Sequence, residues 1–448
     1  MLPFENRSRG DEDEYFSDGI SEDITSALGK VERLQVAPRS MAYQFKGKRP
    51  MPREVGAALN VGHVLEGSVR RSGNRVRINV KLIAIEEGYQ VWSERYDRVM
   101  EDVFEIQDEI SQAIVEKLKV KLVGREKELL AKRYTENLQA YNLCLRGRYY
   151  WYKRTPEAFR KAMEFYQRAL AEDPDYALEH AGLADCHTLL GFYGALPAKE
   201  TMPRAEAAAL KALEIDADLA AAHASIGAVE SLYHWNWAAG VRAFQRAIEL
   251  DPSYPVGHLC FALLPLGRLD EAYSEWKRAA ELDPITPVVN VGPAMILVFQ
   301  RQYDRGIAEL QKTLELDPNY SWAHLFLGIA YLEKGNYAKA IPALDRVNAP
   351  AIRDGHLGYA YAVSGESEKA RKRIEDLQAG SHPEHLAPYQ LAMIYFGLGE
   401  KDKAFEYLNK ACEQRSLQIW WIKVIPQLDS VRSDPRFQAI LRRLNLAD

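Results

Sequence analysis

The sequence predicts a predominantly α protein in which a small α/β domain precedes an all-α solenoid. Two observations carry this. Asp-Pro phrases recur through the second half of the chain, with Pro252, Pro284 and Pro318 falling 32 and 34 residues apart. Near residue 75 the pattern changes: Val76, Ile78, Val80, Leu82 and Ala84 alternate with Arg75, Arg77, Asn79 and Lys81, the period of a half-buried strand.

The Asp-Pro pair has a mechanical role. Proline lacks an amide hydrogen and clashes with the preceding turn, so one helix stops before it, while its fixed φ suits the first turn of the next. Asp173-Pro174-Asp175-Tyr176, Asp251-Pro252-Ser253-Tyr254 and Asp317-Pro318-Asn319-Tyr320 are near copies, and Glu214–Asp218 reads as a degenerate junction between the first two. A period near 34 residues is that of the tetratricopeptide (TPR) repeat, two antiparallel helices that cannot bury their apolar faces alone. The sequence thus divides into an α/β domain at 1–122, a continuous linker helix at 123–138, a superhelix of about eight repeats at 139–432 and a capping helix at 433–448. The sixth repeat fits best, with Leu327, Gly328, Tyr331, Gly335 and Ala340. Glycine and alanine suit close helix crossings, and tyrosine and leucine fill the gap to the next unit. The third repeat carries one extra residue near Trp235.

Within residues 1–122, Phe16, Ile20, Ile24 and Leu28 mark an amphipathic helix ending near Gly29. A short strand is expected around Leu34–Val36 and a helix over Glu54–Leu59. Ser72-Gly73-Asn74 turns one strand into the alternating one, and Glu86-Glu87-Gly88 leads into a third. Asp102 is placed to cap a helix whose Val103, Ile106, Ile110 and Ile114 cover the sheet. Leu2-Pro3-Phe4 reads as the tail of a buried strand, so the chain is expected to begin inside a longer protein.

The phrases LPFEN (2–6), FSDGISEDI (16–24), VLEGSVRRSGNRVRINVKLI (64–83), VWSERYDR (91–98) and VFEIQDEI (103–110) resemble the TolB amino-terminal-like domain. That family is often joined to TPR repeats in bacterial signalling proteins. The resemblance implies an α/β domain without an established catalytic centre, and in relatives the pair follows a cyclase, kinase or winged-helix domain.

Composition is that of an ordinary globular protein: 47% hydrophobic, 27% charged, net charge −5. No nucleic-acid partner is expected from that balance, and no run approaches a membrane span. The four separated cysteines suit a reducing compartment, so the chain is expected in the cytoplasm. No phosphate loop, nucleophile elbow or zinc-protease motif occurs, so no catalytic, cofactor or metal residue is assigned and no enzyme is expected. His382 and His385 read as a solvated turn before a metal pair, and His223, His234, His258 and His324 as packing or groove-lining groups at different helical phases. Asp11–Glu14 either favours a helix amino end or holds a cation. The Arg70, Arg71, Arg75, Arg77 and Lys81 face is either solvated or phosphate-binding.

What remains is the inner face of the solenoid, lined by first helices. Phe192, Tyr193, Tyr233, Trp235, Phe261, Met295, Trp322, Leu325, Ile329, Tyr389, Met393 and Phe396 form an apolar, aromatic series there. They are candidates for a groove that takes a protein or peptide segment, with packing between repeats as the competing reading. The sequence therefore points to an interaction scaffold of bacterial signalling. Its alternatives are the regulatory half of a cyclase or winged-helix regulator, with the output domain upstream or on another chain, and an amino-terminal sensor of a small ligand.

Overall fold

The computed structural model describes residues 1–8, 13–31, 33–48, 50–123, 126–130, 132–251, 259–283, 286–379 and 387–447. They form two compact units, Met1–Gly182 and Leu183–Asp448. His258, His382, His385, Pro252 and Pro284 lie outside the described residues, as do Asp11 and Glu12.

In the first unit a four-stranded sheet runs in the order β1 (Glu5–Asn6), β2 (His63–Ser72), β3 (Arg75–Ala84), β4 (Gln90–Val99). β1 is parallel to β2 and the others pair antiparallel. Phe4 reaches the core because Gly67 leaves it room; a Cβ there would overlap the Phe4 ring. α1 (Glu14–Gly29), α2 (Arg39–Tyr43), α3 (Pro52–Leu59) and α4 (Val103–Lys117) complete the domain. Phe16, Ile20 and Ile24 of α1 and Ile106 and Ile110 of α4 bury the apolar face of β3. Asp102 stands at the cap position of α4 without a side-chain bond.

The opposite sheet face is polar. Asp97 accepts from Arg75 at 2.8 Å, Arg77 at 2.5 Å and Arg95 at 3.3 Å, and these guanidiniums hold its carboxyl far below the usual range. Arg75 and Arg77 thus already serve a neighbouring carboxylate. Residues 34–36 form no strand: Leu34 and Val36 pack on the core as irregular chain ahead of Pro38, which has no amide hydrogen to donate.

Among the described residues of 123–137, a short helix, α5 (Glu126–Leu130), is followed by non-helical chain over 132–137, in place of the continuous helix expected. Asn137 then caps α6 (Leu138–Trp151), which pairs with α7 (Pro156–Glu172). Leu130, Tyr141 and Leu145 belong to the same hydrophobic cluster as the sheet. Asp23 of α1 accepts from the Tyr141 hydroxyl at 2.5 Å and from Arg148 at 2.7 Å. The first helical hairpin therefore completes the core of the α/β unit.

α8 (Ala177–Phe192), within which the two units meet in sequence, opens the second hairpin with α9 (Ala198–Ile215). Paired helices continue as α10 (Ala220–Val229) with α11 (Trp237–Leu250), α12 (Cys260–Leu263) with α13 (Leu269–Leu282), and α14 (Pro287–Phe299) with α15 (Tyr303–Leu316). Next come α16 (Ser321–Glu333) with α17 (Tyr337–Asp345), α18 (Pro350–Val363) with α19 (Ser367–Gln378), and α20 (Ala387–Gly397) with α21 (Lys401–Glu413). α22 (Pro435–Arg443) follows. The extra residue of the third repeat is taken up by a π-turn, Glu230–His234, with Trp235 left-handed at φ 59.

The junctions share one geometry. Asp173, Asp216, Asp251, Asp283 and Asp317 each end a helix with φ between −142° and −135°, their amides bonded four residues back. Asp216 does so without a following proline, so the aspartate sets the turn: its carboxylate accepts from the amide two residues on, as at Asp173 and Asp317.

Candidate functional site

The helices lining the inner face of the second unit are apolar nearly all round, as in α16, where Ala323 through Ala330 are all buried. A helix of that kind needs cover on both sides. One side is the partner helix of its own repeat. The other is the end of the chain.

After α21 the backbone turns at Arg415 (φ 55) and runs as two 3-10 turns, Leu417–Trp421 and Pro426–Val431, into α22. Trp420 meets Phe261 at 5.3 Å, and Trp421 lies against Phe326, Phe299 and Trp322 at 5.9, 6.2 and 6.3 Å. The Trp421 indole N–H donates to the Tyr389 hydroxyl at 2.9 Å, and Gln390 donates to Gln418 at 2.7 Å. Tyr359 donates to the carbonyl of Gln427, and Arg301 to that of Val424 and to the Asp429 carboxylate. At the far end Trp237 donates to the Leu444 carbonyl at 2.8 Å, and Asn445 to that of Trp235. This tail therefore contacts repeats three through eight. Between Trp322, Trp420, Trp421 and Gln418 the space left is about 10 Å³, room for no more than one water.

That arrangement corrects the reading of the groove. Trp235, Met295, Leu325, Ile329, Tyr389 and Met393 are buried, so none faces an open channel. Phe192, Tyr233, Phe261, Trp322 and Phe396 are partly buried against the same core, and Tyr193 is exposed. Phe192 meets Phe261 edge to face at 5.4 Å and lies tilted against Trp322 at 6.1 Å. The reason is hydrophobic: an aromatic row of this size seeks cover, and the chain's own tail supplies it.

Two features escaped the sequence reading. Residues 417–431 looked like the end of an eighth repeat, yet Ile419-Trp420-Trp421-Ile422 is too apolar for a solvated connection. The histidines also have a rule. His180, His223 and His324 each bond the carbonyl six residues back, Pro174, Ala217 and Pro318, at 3.0, 2.9 and 2.8 Å. They share one phase and staple the junction to the following helix. The signal was an aspartate with a histidine seven residues on, four times over, counting Asp251 and His258. His234 instead bonds Glu206 at 3.1 Å. His356 is fully buried, which pulls it down to about 4.

All four cysteines are free and buried. Among the described residues no three metal-binding side chains gather, and no helix is long and apolar enough to cross a membrane.

Comparison with known proteins agrees with the helical part. Tetratricopeptide-repeat family models match residues 298–352 and 389–416. A putative adenylate cyclase 3 of Rhizobium meliloti (strain 1021) is 36% identical over 283 residues, 61% of this chain and 41% of the relative. The transcriptional regulator HilA of Salmonella typhimurium is 23% identical over 168 residues, 36% of this chain and 30% of that protein. The chain thus spans less than half the length of either relative. Among solved structures, YrrB, a TPR protein with an unusual peptide-binding site, is 20% identical with a TM-score of 0.29, covering 47% of this chain and 97% of YrrB. Yeast Tom70 is 15% identical with 0.43, covering 77% and 82%. The human IFIT1 dimer with PPP-AAAA is 14% identical with 0.47, covering 92% and 97%. All three TM-scores lie below 0.5. The cyclase relative corrects the expectation that no enzyme is involved, because it ties more than half of this sequence to a protein named for catalysis. A small α/β domain followed by a tetratricopeptide-repeat array is the architecture of this chain.

Proposed function

We propose that this chain is the regulatory portion of an adenylate-cyclase system, acting on a catalytic domain held on the same polypeptide or on another. The observation that carries this is the 36% identity over 283 residues with the putative adenylate cyclase. The paired-helix array suits the role, since stacked repeats present extended protein-docking surface. We take the α/β domain as TolB amino-terminal-like on the phrases quoted above, and the setting as bacterial cytoplasmic signalling, where ATP and reduced cysteines coexist. Docking of a protein segment falls to what the tail leaves accessible of the aromatic row, Tyr193 with the edges of Phe192, Tyr233 and Trp322.

The test is a chimera in which the matched portion of the Rhizobium meliloti relative is replaced by this chain and cyclic AMP formation is measured. Formation that depends on the graft, and changes when the graft is deleted, supports the reading. A rate indifferent to both changes refutes it. A second reading, the regulatory half of a transcription regulator, is favoured only by the HilA match; promoter-specific DNA retention by a complex containing this chain, without effect on the cyclase, would select it.

A further inference from the structure

The first unit holds a half-open cavity of about 290 Å³ between α1, α2 and α6, close to the lower end of small-molecule sites at ~300 Å³. Its lining is unusually charged. Asp18, Glu22, Arg39, Lys46, Arg148 and Lys153 all face it, four cations against two carboxylates. Asp18 Oδ2 takes Lys46 at 2.6 Å, but its Oδ1 is buried and finds no partner among the described residues. The Nε of Arg148 is likewise buried without a hydrogen bond, while that of Arg39 has only a long ion-pair contact, 3.5 Å to Glu22 Oε2. Native interiors rarely leave such atoms unmet, and those that occur ask for a water, an ion or a ligand.

The cations are also held in place. The Arg39 guanidinium lies between the rings of Tyr43 and Tyr152, 3.6 and 3.7 Å from their centroids. Tyr152 is fixed in turn by donating to Glu22 at 2.6 Å. Arg148 is oriented by Asp23 at 2.7 Å, leaving Nε unused. Lys153 stands at the rim over the Tyr149 ring at 4.5 Å. Arginine fixed in this way is suited to binding an acid group. Burial raises the Asp18 carboxyl against the pull of Lys46, as expected of a group lacking full solvation.

We propose that this cavity binds a small organic anion that also carries a hydrogen-bond donor. Its acid group meets Arg39, Arg148 and Lys153, and its donor meets the open oxygen of Asp18. The site lies wholly inside the first unit and stands apart from the cyclase reading, so it can be tested on the intact chain alone.

Calorimetry and thermal shift would use glutamate, glucosamine 6-phosphate and AMP, with glucosamine and adenosine as uncharged-acid controls. The first two separate a carboxylate from a phosphate source, and AMP adds a planar base. At least one anionic probe is expected to bind saturably with Kd below about 1 mM and to raise the melting temperature. Lys153→Ala, at an exposed rim position, and Asp18→Asn should each weaken it at least about tenfold, while Arg75→Ala on the distant sheet face should not. The proposal is overturned if no anionic probe binds up to about 5 mM, if the controls bind equally well, or if Lys153→Ala and Asp18→Asn bind as the parent does.

Discussion

Replacing Trp421 by alanine tests whether the tail is core or a detachable occupant. The side chain is 3% exposed and packs on Trp322, Phe326, Phe299 and Trp420. Truncating a buried tryptophan costs about 3–5 kcal/mol. Its indole N–H also serves the hydroxyl of Tyr389, a residue with no exposure at all, and an unmet hydroxyl there adds about 1–3 kcal/mol. The expected loss is therefore about 4–8 kcal/mol, a large share of the ~5–15 kcal/mol that holds a typical domain. Urea unfolding followed by far-UV circular dichroism would measure it, with the exposed Tyr193→Ala as a control expected within ~0.5 kcal/mol. A loss below about 1 kcal/mol, with residues 417–431 newly open to protease, would refute the view that the tail is integral to the fold.

Arg301 takes φ 64 in the turn of the fifth hairpin, where the sixth, seventh and eighth use Gly335, Gly365 and Gly399. Arg301→Ala should therefore cost ~1–2 kcal/mol more than Arg301→Gly, since both lose the bonds to Val424 and Asp429 but only alanine keeps the left-handed strain; paired denaturation curves would show it, and equal losses would count against it. His324→Ala should cost ~1 kcal/mol by freeing the Pro318 carbonyl, with amide exchange rising at the amino end of α16; unchanged exchange would deny the staple. Burial pushes the Glu179 carboxyl up to about 8 from an ordinary 4.5. Between those values the folded state binds the extra proton, so stability falls as pH rises, by ~1.4 kcal/mol per unit. Glu179→Gln should flatten that slope in unfolding measured from pH 4.5 to 8, and an unaltered slope would show that the carboxyl is ionised in the fold.

Much of the fold was readable because its causes are local. The α1 stripe of Phe16, Ile20 and Ile24, the β3 alternation and the helix stops at Asp173, Asp251 and Asp317 are set by residues within a turn or two of one another. The candidate groove was read less well. Spacing identified Leu325, Ile329 and Met393 as facing inward, but inward meant covered, because period alone cannot say what lies opposite a face. The binding of the first hairpin to the α/β core through Asp23 and Arg148 joins residues 125 apart, and nothing near either announces it.

By itself the sequence determined the repeated hairpin, its junction aspartates and the sheet of the amino-terminal domain, since hydrogen-bond period and backbone sterics act over a few residues. Only tertiary structure decided that residues 417–446 cover the aromatic face and that six charged side chains meet around one cavity. Both depend on burial between segments far apart in the chain, where the free energy belongs to the pair of surfaces and to neither segment alone.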